Sequence, residues 1–244
     1  MILDDPLFER SRLVFDDAQL VRLTNARVLL AGVGGVGGFV AEALARAGVG
    51  QLVLVDHDRV ASSNLNRQIV ALHSTLGQPK VEVMARRIAD INPLAQVDVR
   101  CAFLAPEAMP VLVAEGFDVV VDAIDSLNCK AALVETAWKA GVPVFSSMGA
   151  GRRTDPSKVR IADLMDTHGC GLARQMRQRL RKRGVGRGVT VVFSEELPAP
   201  PGPYEEIEGA RGRVVNGTAS YMPGLFGLML AGAVIRHLAG VEKE

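Results

Sequence analysis

The chain has 244 residues, with 28 lysines and arginines against 27 acids and a formal net charge of +1. That balance excludes a whole-molecule basic field for nucleic acid, so any such partner must meet a local patch. Hydrophobic residues at 48% and charged residues at 23% supply an ordinary globular core and exclude a disordered chain.

Cys101, Cys129 and Cys170 show no C-x-x-C spacing, which excludes a disulfide framework and a structural zinc knuckle. The opening "MILDDPLFERSR" is charged and has no apolar h-region, so no secretory signal is expected and a reducing cytoplasm is.

In chain order, residues 1–24 read as a helical arm. From Arg27 apolar strand-like runs at 28–31, 52–55, 97–100, 118–121 and 142–146 alternate with helical segments. Among the helices, 36–47 follows a glycine turn. In 80–91, Val81, Met84, Ala85, Ile88 and Ile91 recur at helical spacing. Residues 131–140 form another helix, closed by Gly141 and Pro143. Short apolar runs alternating with helices predict an α/β fold, a doubly wound, Rossmann-like, mostly parallel sheet over 25–150.

After Gly151 the pattern changes to a C-terminal elaboration, within a single domain spanning 1–244. A short strand at 158–162 precedes a basic helix. Four prolines in 198–203 and the "EEIEGARGR" that follows predict a surface loop through 212. The last helix, 221–240, carries an apolar run at 225–235, well short of the roughly 20 residues that span a bilayer. With Pro223 at its start and Arg236-His237 near its end, it reads as a buried or dimer-interface helix, not a membrane span.

Gly32-x-Gly34-x-x-Gly37 follows a strand and opens a helix, and Asp56 ends the next strand. Glycines are required there because a β-carbon blocks the tight turn and the approach of phosphate to the helix N-terminus. The carboxylate is placed to accept ribose hydroxyls. This pattern predicts a nucleotide site but does not choose between NAD and ATP.

The run "SNLNRQ" places Asn64, Asn66, Arg67 and Gln68 just after that acid, and Lys80 opens the following helix. A triphosphate carries about four charges, which one helix end matches poorly. Arg67 and Lys80 are the cations an ATP site adds, although either alone reads as an ordinary solvated charge. In "VVVDAIDSLNCKAAL", Asp122 and Asp125 stand at the strand edge where open α/β sheets bind ligands. One such carboxylate can hold Mg²⁺ bridging phosphates. Asp125 ranks first for the metal, and Asp122 reads equally as a cap of the turn.

The G-x-G-G-x-G turn, "SNLNRQ", "GQPK" and "DAID" resemble the ThiF-type adenylating domain shared by molybdopterin and thiamine biosynthesis enzymes and ubiquitin-activating enzymes. The resemblance implies that Gly35, Asp56, Asn64, Arg67, Lys80 and Asp125 contact ATP·Mg²⁺, with Arg67, Lys80 and Asp125 catalytic. It also implies a homodimer in which an N-terminal arginine reaches the partner's phosphates. "FERSR" offers Arg10 and Arg12, of which Arg10 fits better.

Within that group, sulfur-carrier activators carry paired C-x-x-C zinc motifs, which this chain lacks. The runs "LGQPKVEVMARRIADINP", "SSMGAGRRTDPSKVRIADL" and "NGTASYMPGLFG" resemble the tRNA threonylcarbamoyladenosine dehydratases. That resemblance implies ATP-driven closure of a ring on the modified adenosine beside the anticodon. Adenylation of a ubiquitin-like sulfur carrier is the alternative. A non-catalytic adaptor delivering sulfur or tRNA to a partner such as a cysteine desulfurase comes third, and an NAD enzyme last.

Residues 174–187 hold seven lysines and arginines and no acid. On a helical wheel Leu172, Met176 and Leu180 face inward while Arg174, Arg177 and Arg181 line the opposite side. With Lys182 and Arg183 they are the expected tRNA contacts, which Arg152 and Arg153 would extend. Cys129 and Cys170 read as inert, Trp138 as core, and His57, His73, His168 and His237 as too scattered for a metal site.

Overall fold

The computed structural model describes residues 5–202, 204–207, 210–214 and 216–241. Seven strands form one sheet in the order β3-β2-β1-β4-β5-β7-β6. They are β1 (Arg27–Ala31), β2 (Gln51–Val55), β3 (Gln96–Arg100), β4 (Val119–Asp122), β5 (Val144–Ser147), β6 (Val159–Asp163) and β7 (Val189–Ser194). All neighbours are parallel except β6 and β7. The order reverses direction between β1 and β4, whose register pairs Ala31 with Asp122. This switch point is where an open α/β sheet leaves a crevice for a ligand.

The strands are short apolar runs because both faces are covered. Val28 and Leu30 of β1 enter one core with Leu44, Met84 and Phe226, while Leu29 and Ala31 enter the other with Met109, Leu133 and Met176. The first face is covered by α1 (Asp17–Asn25), α2 (Gly37–Arg46), α3 (Lys80–Ile91) and α7 (Met222–Ala239), and the second by α4 (Met109–Val113), α5 (Leu127–Lys139) and α6 (Gly171–Lys182). A capping box starts α1, where Asp16 Oδ1 accepts from the Gln19 N–H at 2.7 Å. Gly240 ends α7 in the left-handed region at φ 68°.

The expected strands and helices appear within a few residues of their limits, and α3 at the expected bounds. Three differences stand out. The arm is two short 3₁₀ turns, Pro6–Phe8 and Ser11–Leu13, before α1, with residues 1–4 outside the described residues. The stretch read as a loop carries β8 (Tyr204–Ile207) and β9 (Ala210–Val214), an antiparallel pair, while positions 203, 208, 209 and 215 lie outside the described residues. Helix α7 is long and apolar enough to cross a membrane by length and composition, yet half of it is buried inside the fold.

Candidate nucleotide and adenylation site

The glycine turn joins β1 to α2 at the switch point. Gly32 has φ +90°, and a Cβ there would stand 2.6 Å from the Ala123 carbonyl oxygen on the loop after β4. A Cβ on Gly37 would meet the Gly32 oxygen at 1.8 Å. Both glycines are therefore demanded by close backbone approach. Helix α2 follows Val36 with no side-chain cap and no acid in its first turn; Gly38 and Phe39 N–H bond back to the Gly34 and Val36 carbonyls, and the positive dipole end is left for an anion.

Asp56, at the end of β2, ties the turn in place. Its Oδ2 accepts from the Val33 N–H at 2.7 Å and its Oδ1 from the Asp58 N–H at 2.8 Å. Each oxygen keeps a lone pair for a ribose hydroxyl. Lys80 is 4% exposed, and its Nζ lies 2.7 Å from Asp58 Oδ2. Asp58 was not among the expected site residues, and it brings the cation to the phosphate edge. Asp56, His57 and Asp58 also offer ligand atoms within 4.8 Å of one another, so His57 stands with two acids and not with a second histidine.

Arg67 and Gln68 flank the turn. A Cβ on Gly35 would stand 3.5 Å from Arg67 Cγ, and one on Gly34 would stand 3.7 Å from Gln68 Nε2. Arg67 donates through Nη1 to the Ser63 oxygen at 2.8 Å and to Asn66 Oδ1 at 2.9 Å. Asn66 in turn donates to the Thr218 oxygen at 3.1 Å, so it holds Arg67 and the segment before α7 together. Asn64 is buried, its Oδ1 accepting from the Ala61 N–H. Gln68 is 8% exposed and its Oε1 is buried without a hydrogen-bond partner. Such an orphan acceptor is what a bound hydroxyl or water satisfies.

Asp125 is exposed on the loop after β4, which touches the glycine turn directly: the Ala123 N–H donates to the Ala31 oxygen at 2.8 Å. Asp122 is 0% exposed and held by three donors. Its Oδ2 accepts from Lys130 Nζ at 2.7 Å and from Ser146 Oγ at 2.5 Å, and its Oδ1 from the Ile124 N–H at 3.1 Å. It is the turn cap, not a metal ligand. Lys130 escapes sequence reasoning, since its one signal is a lysine between the buried Cys129 and Ala131 in the first turns of α5.

Gly32, Gly34, Gly35, Gly37, Asp56, Arg67, Gln68, Lys80 and Asp125 thus gather on the carboxyl edge of β1, β2 and β4. A model of the ThiF family matches residues 8–244. The chain belongs to the ThiF family.

Similarity to two dehydratases runs through nearly the whole of both chains. The chain is 40% identical over 238 residues to the tRNA threonylcarbamoyladenosine dehydratase of Bacillus subtilis, covering 95% of this chain and 94% of that one. The Escherichia coli enzyme of that name in complex with ATP superposes with a TM-score of 0.87 at 34% identity, covering 96% and 93% of the two chains. The molybdopterin-synthase adenylyltransferase of Salmonella typhimurium is 41% identical over 132 residues, only 54% of this chain.

Beyond the nucleotide edge, the ThiF-family chain places the remaining expected residues unequally. Arg10 is exposed but is not brought to its own site. Phe8 fills the space beside Gly48, where a Cβ would stand 2.3 Å from its ring, at the far end of α2. About 15 Å of helix separates that point from the turn. Arg12 lies 3.6 Å from Asp17.

On α6, Arg174, Arg181 and Lys182 are exposed, while Ala173, Met176 and Leu180 are buried and Leu172 is half-buried. Arg177 departs from the helical wheel. It is half-buried and donates to the Thr167 carbonyl at 2.7 Å. Arg183 pairs with Glu135 at 2.8 Å. Arg153 does not extend a basic patch, being buried with its guanidinium on the Gly149, Gly151 and Glu196 carbonyls. Arg152, with φ 61°, donates to the Ala199 carbonyl at 3.0 Å. Cys129 and Cys170 are buried and Cys101 is exposed. Trp138 is half-buried, packs against the second core, and donates through its indole N–H to the Arg187 carbonyl at 2.8 Å.

Proposed function

We propose that this chain is an ATP-dependent tRNA threonylcarbamoyladenosine dehydratase. One observation carries the reading: likeness to the dehydratases runs through nearly the whole of both chains, whereas likeness to the molybdopterin-synthase enzyme covers about half of this one.

An oxygen of the threonine carboxylate attacks the α-phosphorus of ATP, and pyrophosphate leaves. A nucleophile in the same modified base then attacks the acyl carbon, gives up its proton and expels AMP. The lost oxygen departs on AMP, so the nucleoside has lost one water. Because the second step is intramolecular, proximity replaces a catalytic thiol. This fits a chain in which Cys129 and Cys170 are buried.

The glycine turn and the open end of α2 hold the phosphates, with Asn64, Asn66 and Gln68 shaping the adjoining wall. Asp56 accepts from the ribose. Arg67 and Lys80 neutralise charge that develops on the α-phosphate and on pyrophosphate. Asp125 would hold Mg²⁺, which would supply positive charge against the phosphates of ATP. The exposed Asp125 beside an uncapped helix end is a donor set that fits it. Arg10 serves the site of a second copy in a homodimer, and Arg174, Arg181 and Lys182 meet tRNA phosphates in the cytoplasm, while Arg177 and Arg183 act chiefly through the fold. These steps transfer no sulfur, so a cysteine desulfurase or other sulfur-transfer partner would act outside them.

The test incubates the purified chain with ATP, Mg²⁺ and tRNA carrying threonylcarbamoyladenosine, followed by gentle digestion and mass spectrometry. The expected product is lighter by one water and requires ATP. An unchanged nucleoside, with adenylation of a Gly-Gly-tailed carrier protein instead, overturns the reading in favour of sulfur-carrier activation.

A further inference from the structure

We infer that Lys130 is a positioning residue for the phosphate and metal edge of the site, acting through Asp122 on the loop that presents Asp125. The inference rests on the reading of that edge as an ATP·Mg²⁺ site.

Lys130 is poorly explained as a stabilising residue. It is 1% exposed and lies in the first turns of α5, where the helix dipole disfavours a cation. A buried ion pair is weak evidence for stability, because apolar residues of similar volume commonly serve as well. What the pair does supply is a connected set of ties. Lys130 Nζ donates to Asp122 Oδ2 at 2.7 Å and to the Ser147 carbonyl at 3.0 Å, joining the carboxyl ends of β4 and β5. Ser146 Oγ holds the same Asp122 oxygen at 2.5 Å.

The other Asp122 oxygen accepts from the Ile124 N–H, one residue before Asp125. The loop is thereby clamped from two sides, by Asp122 below and by the glycine turn at Ala123. Without the ammonium, Asp122 is left as a buried charge short of a partner, and its rotamer is no longer fixed for Ile124. Mg²⁺ demands near-ideal octahedral geometry, so it is sensitive to a small displacement of its carboxylate. Asp122 cannot substitute, since it is 0% exposed and already paired with the buried Lys130 ammonium.

The experiment measures ATP binding to the full chain by calorimetry, with Mg²⁺ and with chelator. The variants are Lys130→Met, the doubles Lys130→Met/Asp122→Asn and Lys130→Met/Asp122→Leu, and Asp125→Ala as reference. The doubles bury no lone charge, so folding does not decide the result. The Asn double keeps an acceptor for Ile124 and the Leu double does not. Expected is a loss of about tenfold in the Mg²⁺-dependent gain for Lys130→Met and the Leu double, on the scale of an outer partner of a metal ligand. Metal-free ATP binding stays near the parent value, and the Asn double recovers most of the gain.

The parent's full gain in the Leu double, with a loss in Asp125→Ala, overturns the inference alone. An equal fall in metal-free binding also overturns it, as general damage to the site. The parent's gain in Asp125→Ala overturns the metal reading and the inference with it.

Discussion

Lys80 Nζ donates to Asp58 Oδ2 at 2.7 Å, joining a lysine that is almost wholly buried to a carboxylate whose side chain is 52% exposed. The ammonium is pre-placed by its dry stem, and its partner is open to solvent. Arriving phosphate can therefore share the cation without the fold rearranging. Because the acid is half solvated, losing the ion pair contributes only about 0–1 kcal/mol to the fold. Lys80→Met, which keeps the buried stem, is expected to melt close to the parent and to lose about 10²–10³-fold in ATP–pyrophosphate exchange, the scale of one preorganised charge partner. Exchange within threefold of the parent would remove Lys80 from the site.

Gly35 and Gly37 predict opposite outcomes from the same substitution. A Cβ on Gly35 meets Pro223 Cβ at 3.1 Å and Arg67 Cγ at 3.5 Å, a tight contact that a shift of a few tenths of an ångström relieves. A Cβ on Gly37 meets the Gly32 carbonyl oxygen at 1.8 Å, and backbone cannot give way locally. Gly35→Ala should keep its melting temperature and weaken ATP binding about tenfold, or ~1.4 kcal/mol. Gly37→Ala should lose about 2–3 kcal/mol of stability by overpacking. Denaturant titration beside nucleotide titration reads both, and the reverse ranking would refute the packing argument.

The same contrast explains what the sequence made legible. Features written within one element survived: the helical period of 80–91, the glycine spacing, and Asp56 at a strand end. Features that need two elements did not. A helical wheel sees Arg177 on its own helix but not the Thr167 carbonyl waiting beside it. Lys130 looks like any helix lysine until β4 and β5 bring Asp122 and Ser147 to its tip. The apolar run of β7 lies outside the strand–helix alternation of 25–150, between a basic segment and a proline-rich one. The antiparallel setting of β6 was equally hidden, because an alternating pattern carries no direction. Arg153 read as a patch residue because carbonyls, the partners it finds, leave no mark in sequence.

Glu42 on α2 predicts how acid loosens the fold. Its side chain accepts from Arg87 on α3 and from Arg46. The hydrogen bond from Arg87, followed by that from Arg46, holds its carboxyl below the ordinary 4.5 despite opposing desolvation. A depressed folded-state value means stability that is present above 4.5 and lost as pH falls through the folded value. Glu42→Gln should therefore narrow the stability gap between neutral pH and pH of about 3. Equilibrium unfolding at both pH values measures it. An unchanged gap would show that Glu42 does not report on the α2–α3 contact.

The basic helix gives the sharpest distinction between binding and folding roles. Arg174, Arg181 and Lys182 are exposed, whereas Arg177 and Arg183 are spent on Thr167 and Glu135. Counterions released by phosphate contacts make log affinity fall with log salt, by about 0.7–0.9 per contact. The triple variant Arg174→Ala/Arg181→Ala/Lys182→Ala should bind tRNA more weakly, with that slope reduced by about 2–3, while its melting temperature holds. Arg177→Ala should leave the slope alone and lower stability by about 1–2 kcal/mol, since it strips a donor from a buried threonine. Binding isotherms at several salt concentrations decide between the two. A slope that changes with Arg177→Ala and not with the triple variant would mean that tRNA binding rebuilds this helix, pulling Arg177 off Thr167.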